Sequence, residues 1–120
     1  KGKRMFASLY TKNVHVDTGT KTAVATAGAA TLGTMSGVVT SEALTTAAGA
    51  TYVLTITNAA ILASDIVMAS VQFGTATTGL PEIATVDPAA GSLVITVRNA
   101  HASAALNGTI LVSYVALRGN

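Results

Sequence analysis

The 120-residue chain is 50% hydrophobic and only 10% charged, with a formal net charge of +2, whereas ordinary domains carry roughly 25% charged residues. Such a composition excludes intrinsic disorder for the bulk of the chain. The absence of Cys excludes a disulfide framework and thiolate chemistry, and no run approaches the ~20 apolar residues of a membrane helix.

Residues 1–13 read as a basic N-terminal arm, and 14–120 as a single β-domain with no membrane-spanning segment. Lys1, Lys3, Arg4 and Lys12 supply four of the seven basic residues before the first acid, Asp17. Met5, Phe6, Leu9 and Tyr10 are possible anchors within the arm. A short alternation, Val14-His15-Val16, ends at the turn signal Asp17-Thr18-Gly19. The low-complexity stretch from Thr22 to Thr34 suits a short strand or an extended loop. Gly37 to Ser41 reads as a strand, continued or closed by Glu42-Ala43-Leu44, and Ala47 to Ala50 as a turn.

The clearest strand is Thr51 to Thr57, with Tyr52, Leu54 and Ile56 on one face and Thr51, Thr55 and Thr57 on the other. Asn58 to Ser64 connects it to the run Ile66–Phe73. Gly74 to Pro81 is a Gly/Thr loop, and Glu82 to Val86 a short strand closed by Asp87 to Gly91. Ser92 to Arg98 puts Leu93, Ile95 and Val97 on one face. Thr109 to Leu117 is apolar on both faces, which marks a strand buried on both sides: one face for the core, the other for a subunit contact. Helix competes over Ala59–Val71 and Ala100–Leu106, which are Ala-rich. The first lacks a sustained helical stripe and carries β-branched Ile61, Ile66, Val67 and Val71. About six to eight short strands with regular turn signals indicate an all-β, antiparallel sandwich of jelly-roll type.

No catalytic constellation stands out. Five carboxylates and two His are scattered along the chain, whereas acid–base chemistry needs titratable groups brought together. Asp17-Thr18-Gly19 matches the aspartic protease triplet, which leaves a dimeric hydrolase as the enzymatic rival, but an Asp–Gly turn is the plainer reading. His15 and His101 lie too far apart to suggest a metal site. Gly74 to Gly79 lacks the Lys and the following helix of a phosphate loop. Asn107-Gly108-Thr109 fits an N-glycosylation acceptor, yet Asn-Gly before the last strand reads first as a hairpin turn. The arm suits docking on an acidic protein surface, or a solvated tail, better than nucleic acid, because the body lacks a basic stripe. No cofactor is implied.

Two segments, Gly37 to Asn58 and Val94 to Leu117 (VITVRNAHASAALNGTILVSYVAL), together resemble small virion structural proteins of tailed bacteriophages. These are β-sandwich modules found as capsid decoration (cement) proteins and as domains of tail fibres. The resemblance covers roughly residues 36–118. It implies a non-enzymatic protein on the outer capsid surface of a virion, most typically a homotrimer, that bridges subunits of the major capsid protein. A surface rich in Thr and Ala suits packing about a symmetry axis, and several weak contacts per oligomer give high occupancy. Lys1, Lys3, Arg4 and Lys12 are the expected capsid-docking residues, on the charge asymmetry alone. The alternative is a tail-fibre or receptor-binding module that recognises a host glycan; the few aromatics speak against it.

Overall fold

The computed structural model describes residues 21–118. Among these there are eight strands and no helix: β1 (Lys21–Val24), β2 (Ala29–Thr31), β3 (Ser36–Thr40), β4 (Thr51–Thr57), β5 (Ile66–Phe73), β6 (Pro81–Ala89), β7 (Ser92–Asn99) and β8 (Ile110–Leu117). They form two four-stranded sheets, β1-β3-β8-β5 and β2-β4-β7-β6. One core joins their inward faces, with Val39, Ile110, Val112 and Tyr114 from the first sheet and Leu54, Ile56, Leu93, Ile95 and Val97 from the second. The architecture is sandwich-like and all-β. The arm, His15 and Asp17 lie outside the described residues.

The expectation of purely antiparallel sheets is corrected. β1 pairs with β3, and β2 with β4, in parallel; the other ladders are antiparallel. The reason is the path of the chain. From β1 to β6 each strand crosses to the sheet opposite the one before it, so β1 and β3 enter one sheet in the same direction after two crossings, as do β2 and β4 in the other. The first crossing occurs within the low-complexity stretch, where Ala27 and Gly28 both take positive φ (51° and 77°). Thr26 and Ala29 bond to each other across them, at 2.9 and 3.0 Å. Two successive residues with positive φ make the tight primed turn that suits paired strands. A side chain at Gly28 would also meet the Val53 carbonyl oxygen at 2.6 Å.

β4 follows its expected alternation, with Tyr52, Leu54 and Ile56 buried and the residues between them exposed. β6 is longer than expected and runs through Asp87 and Pro88 to Ala89. Pro is tolerated there because β6 ends its sheet and one side of the strand has no ladder to feed. A bulge between Ile83 and Thr85 lets Ile83 and Val86, three residues apart, both pack against the core. The two-residue hairpin lies at Ala90-Gly91, between β6 and β7.

Asn107-Gly108 is therefore not a hairpin turn, because β7 and β8 belong to different sheets. Asn107 instead fastens the neighbouring loop. Its Oδ1 accepts from the Thr77 and Thr78 amides at 2.7 and 3.0 Å, and its Nδ2 donates to Thr77 Oγ1 at 2.9 Å. The Ala-rich segments 59–65 and 100–106 form irregular connections, not helices. Two buried Asn side chains supply the fixed bonds that such connections need.

Candidate interaction surfaces

Asn99 and Asn58 are both fully buried. Asn99 Oδ1 accepts from the amides of Leu80 and His101, and its Nδ2 donates to the carbonyls of Thr46 and Ala104, at 2.9–3.1 Å. One side chain thus holds three loops, and all four of its hydrogen-bonding positions are used. At the other end of the fold, Asn58 Nδ2 donates to Thr34 O and to the Tyr114 hydroxyl, both at 2.8 Å. Tyr114 Oη donates onward to Thr34 O at 3.0 Å. The Tyr114 ring lies against Gly37, where an added Cβ would stand 2.9 Å from it. That aromatic-over-glycine pair joins β3 to β8.

The ionisable groups of the described residues are spread over separate structural contacts. Tyr52 donates to Glu42 Oε1 at 2.7 Å, and burial, reinforced by that carboxylate, pushes its hydroxyl well above the ordinary tyrosine range. Asp65 is buried beneath the start of β5. It accepts from Arg118 Nε at 2.7 Å, from Arg118 Nη2 at 2.9 Å and from the Leu62 amide at 2.9 Å. The Arg118 bonds, then the Leu62 amide, lower its carboxyl to about 2 against burial that opposes them. Arg118 also reaches the Ala60 carbonyl at 2.7 Å, so it clips the end of β8 to the loop before β5.

His101 uses Nδ1 to accept from the Ser103 and Ala104 amides at 3.0 and 2.8 Å, which makes it a loop-fastening residue. Among the described residues no three His, Cys, Asp or Glu side chains gather as a metal site would require. A groove of about 470 Å³ is lined by Lys21, Thr31, Leu32, Thr34 and Thr57, among others; Lys21 is its one charged lining residue.

The outward faces of the two sheets differ sharply. On β4, β7 and β6 the outward positions include Thr51, Thr55, Thr96, Arg98, Glu82 and Asp87, with Arg98 and Glu82 paired at 3.7 Å. On β1, β3, β8 and β5 no outward position carries a charge. Ile66 and Met68 of β5 are 66% and 55% exposed and lie in register with Leu117 and Val115 of β8, which together make one apolar patch. Beside it, Ser70 faces Ser113 at a shallow depression of about 270 Å³ that Met68 and Val115 also line.

The two-faced pattern of the last strand is present as expected: Ile110, Val112 and Tyr114 are buried, while Leu111 and Val115 are half-buried on the other side. The contribution of β5 escaped the sequence reading. Val67, Ala69 and Val71 pack inward while Ile66 and Met68 stand out, a division that the run of apolar residues on both alternations does not itself assign. The four expected docking residues, Lys1, Lys3, Arg4 and Lys12, lie outside the described residues. No family model, curated protein or solved structure matches this chain.

Proposed function

We propose that this chain is a non-enzymatic capsid decoration protein of a tailed bacteriophage, acting on the outer surface of the virion head as a homotrimer. The observation that carries the reading is β8, a central strand that is apolar on both sides: one side fills the core and the other joins an uncharged outer surface. A module built this way works best in an assembly, since apolar strand faces favour burial over hydration. Its loops are tied by buried Asn side chains, which suits a part whose task is to hold a shape under load. The resemblance of 36–118 to phage virion modules supplies the location.

In this account the oligomer bridges subunits of the major capsid protein. The jelly-roll type of the fold and the N-terminal arm belong to the same proposal. Lys1, Lys3, Arg4 and Lys12 dock the arm on an acidic shell surface, so binding weakens with salt. Neutralising all four weakens capsid association and flattens its salt dependence. Unchanged binding would remove the arm from the mechanism.

Antibody labelling of virions, viewed by electron microscopy, tests the reading. Label spaced regularly over the head supports it. Label confined to the tail transfers the chain to the adhesion class, where a host glycan becomes the partner, and absence of label from intact particles overturns the virion assignment.

A further inference from the structure

The outer face of the β1-β3-β8-β5 sheet has a chemistry that narrows what could cover it. Ile66, Met68, Val115 and Leu117 form its apolar end; Ser70, Ser113 and half-buried Val38 follow toward the middle of the sheet, and Leu111 lies at the far end between Thr40 and Gln72. The chain carries seven basic and five acidic residues, yet no outward position of this face holds any of them. A charged partner surface would lose hydration there and gain no counter-charge. A copy of the same face meets it with no charge left unpaired.

The edges of the fold agree. β6, which ends the polar-faced sheet, carries the devices that keep strand edges from pairing with other chains: Pro81 and Pro88, Glu82 and Asp87, and a bulge. β5, which ends the apolar-faced sheet, is eight residues long and has no proline, no charge and no register shift. A long plain edge beside an apolar face is a hazard for a solitary chain and needs no protection when another copy covers it. Relief on the face also suits self-association, because the projecting Met68 stands next to the Ser70–Ser113 depression. Where equivalent patches converge on a symmetry axis, as in a trimer, the Met68 knob of one copy sets against the hollow of the next.

We infer that the face centred on Met68, Ser70, Ser113 and Val115 is the self-association surface of this protein, occupied by a second copy of the chain. The inference deepens the oligomer element of the proposed function and stands apart from the capsid assignment: it concerns solution mass, whereas the capsid reading is decided on virions. The test is sedimentation equilibrium of the full chain at micromolar concentration. The expected mass is a multiple of 11.9 kDa. Met68→Glu, which would bury a charge without a partner, should weaken association about a hundredfold. Ile66→Glu, at the most exposed position of the patch, should weaken it about tenfold. Val53→Glu, on the opposite sheet and 50% exposed, should leave the mass unchanged, and circular dichroism of each variant verifies the fold.

A monomeric wild-type chain overturns the inference. So does an oligomer that both face variants leave intact, or one that Val53→Glu dissolves as readily as Met68→Glu. Protection of the face in a monomer would assign it to the chain's own residues 1–20 and would equally reject a second copy.

Discussion

On the outside of the β2-β4-β7-β6 sheet, Arg98 sits across from Glu82, and Thr51, Thr55 and Thr57 line one strand with Val53 as its single exposed apolar residue. On the outside of the other sheet, Ile66, Met68, Val115 and Leu117 stand together, with Ser and Gln as their only polar company on those two strands. The inward faces show no such contrast, since both feed aliphatic residues into the same core. Folding needs the inward residues and is indifferent to most of the outward ones. The difference is therefore what the proposed self-association surface rests on: a charged, Thr-bearing exterior suited to water on one sheet, and an uncharged apolar patch on the other.

The comparison breaks most severely if the apolar-faced sheet loses its support from behind. Asn58→Leu deletes the bonds to Thr34 and to the Tyr114 hydroxyl and strands buried polar groups. It should cost about 3 kcal/mol, measured by urea denaturation. Gly37→Ala drives a methyl into the Tyr114 ring and into Leu32 Cδ1, 2.7 Å from the added carbon. Overpacking of this kind costs about 2 kcal/mol, and it should loosen the join between β3 and β8 and leave β4 and β7 protected in hydrogen exchange.

Acid probes the same side of the molecule. The Asp65 carboxyl is held at about 2, below its ordinary 3.8, so the Asp65–Arg118 contact stabilises the fold fully above the unfolded value. That contribution fades as pH falls from about 4 to about 2, where the folded protein must also take up the proton. Asp65→Asn should remove this part of the pH dependence and lower stability at neutral pH by about 2 kcal/mol; a pH series of thermal melts reads both effects. The smallest effect is expected on the polar face. Arg98→Ala breaks only an exposed pair at 3.7 Å and should cost less than about 1 kcal/mol, with no change in mass.

Most strands were legible because their period is short and their burial one-sided. β4 and β7 alternate so regularly that residue identity alone orients each side chain. The parallel pairings were not legible, since they depend on which sheet each crossing enters, and Thr22 to Thr34 offers little beyond Ala27-Gly28 to mark a change of layer. Asn107-Gly108 misled because neither residue takes the positive φ of a primed turn, the Asn107 side chain being engaged by the Thr77–Thr78 loop instead. Asn99 bonds locally to His101 and Ala104, but the ties of Asn58 and Asn99 to other loops span 24–56 and 19–53 residues, which no local pattern encodes. The apolar outer face was half legible. β8 announced two apolar sides, while β5 revealed its own only once its register against β8 was known.

The central claim, that the apolar outer face is covered by another copy, is tested most directly in the cysteine-free background of this chain. Met68→Cys and Val53→Cys place single thiols at positions that are 55% and 50% exposed in the isolated chain, so a maleimide should label them at similar rates if nothing covers either. The account predicts that Met68→Cys reacts about tenfold more slowly than Val53→Cys in the oligomer, and that dilution to the monomer removes the difference. Equal rates at every concentration would contradict it.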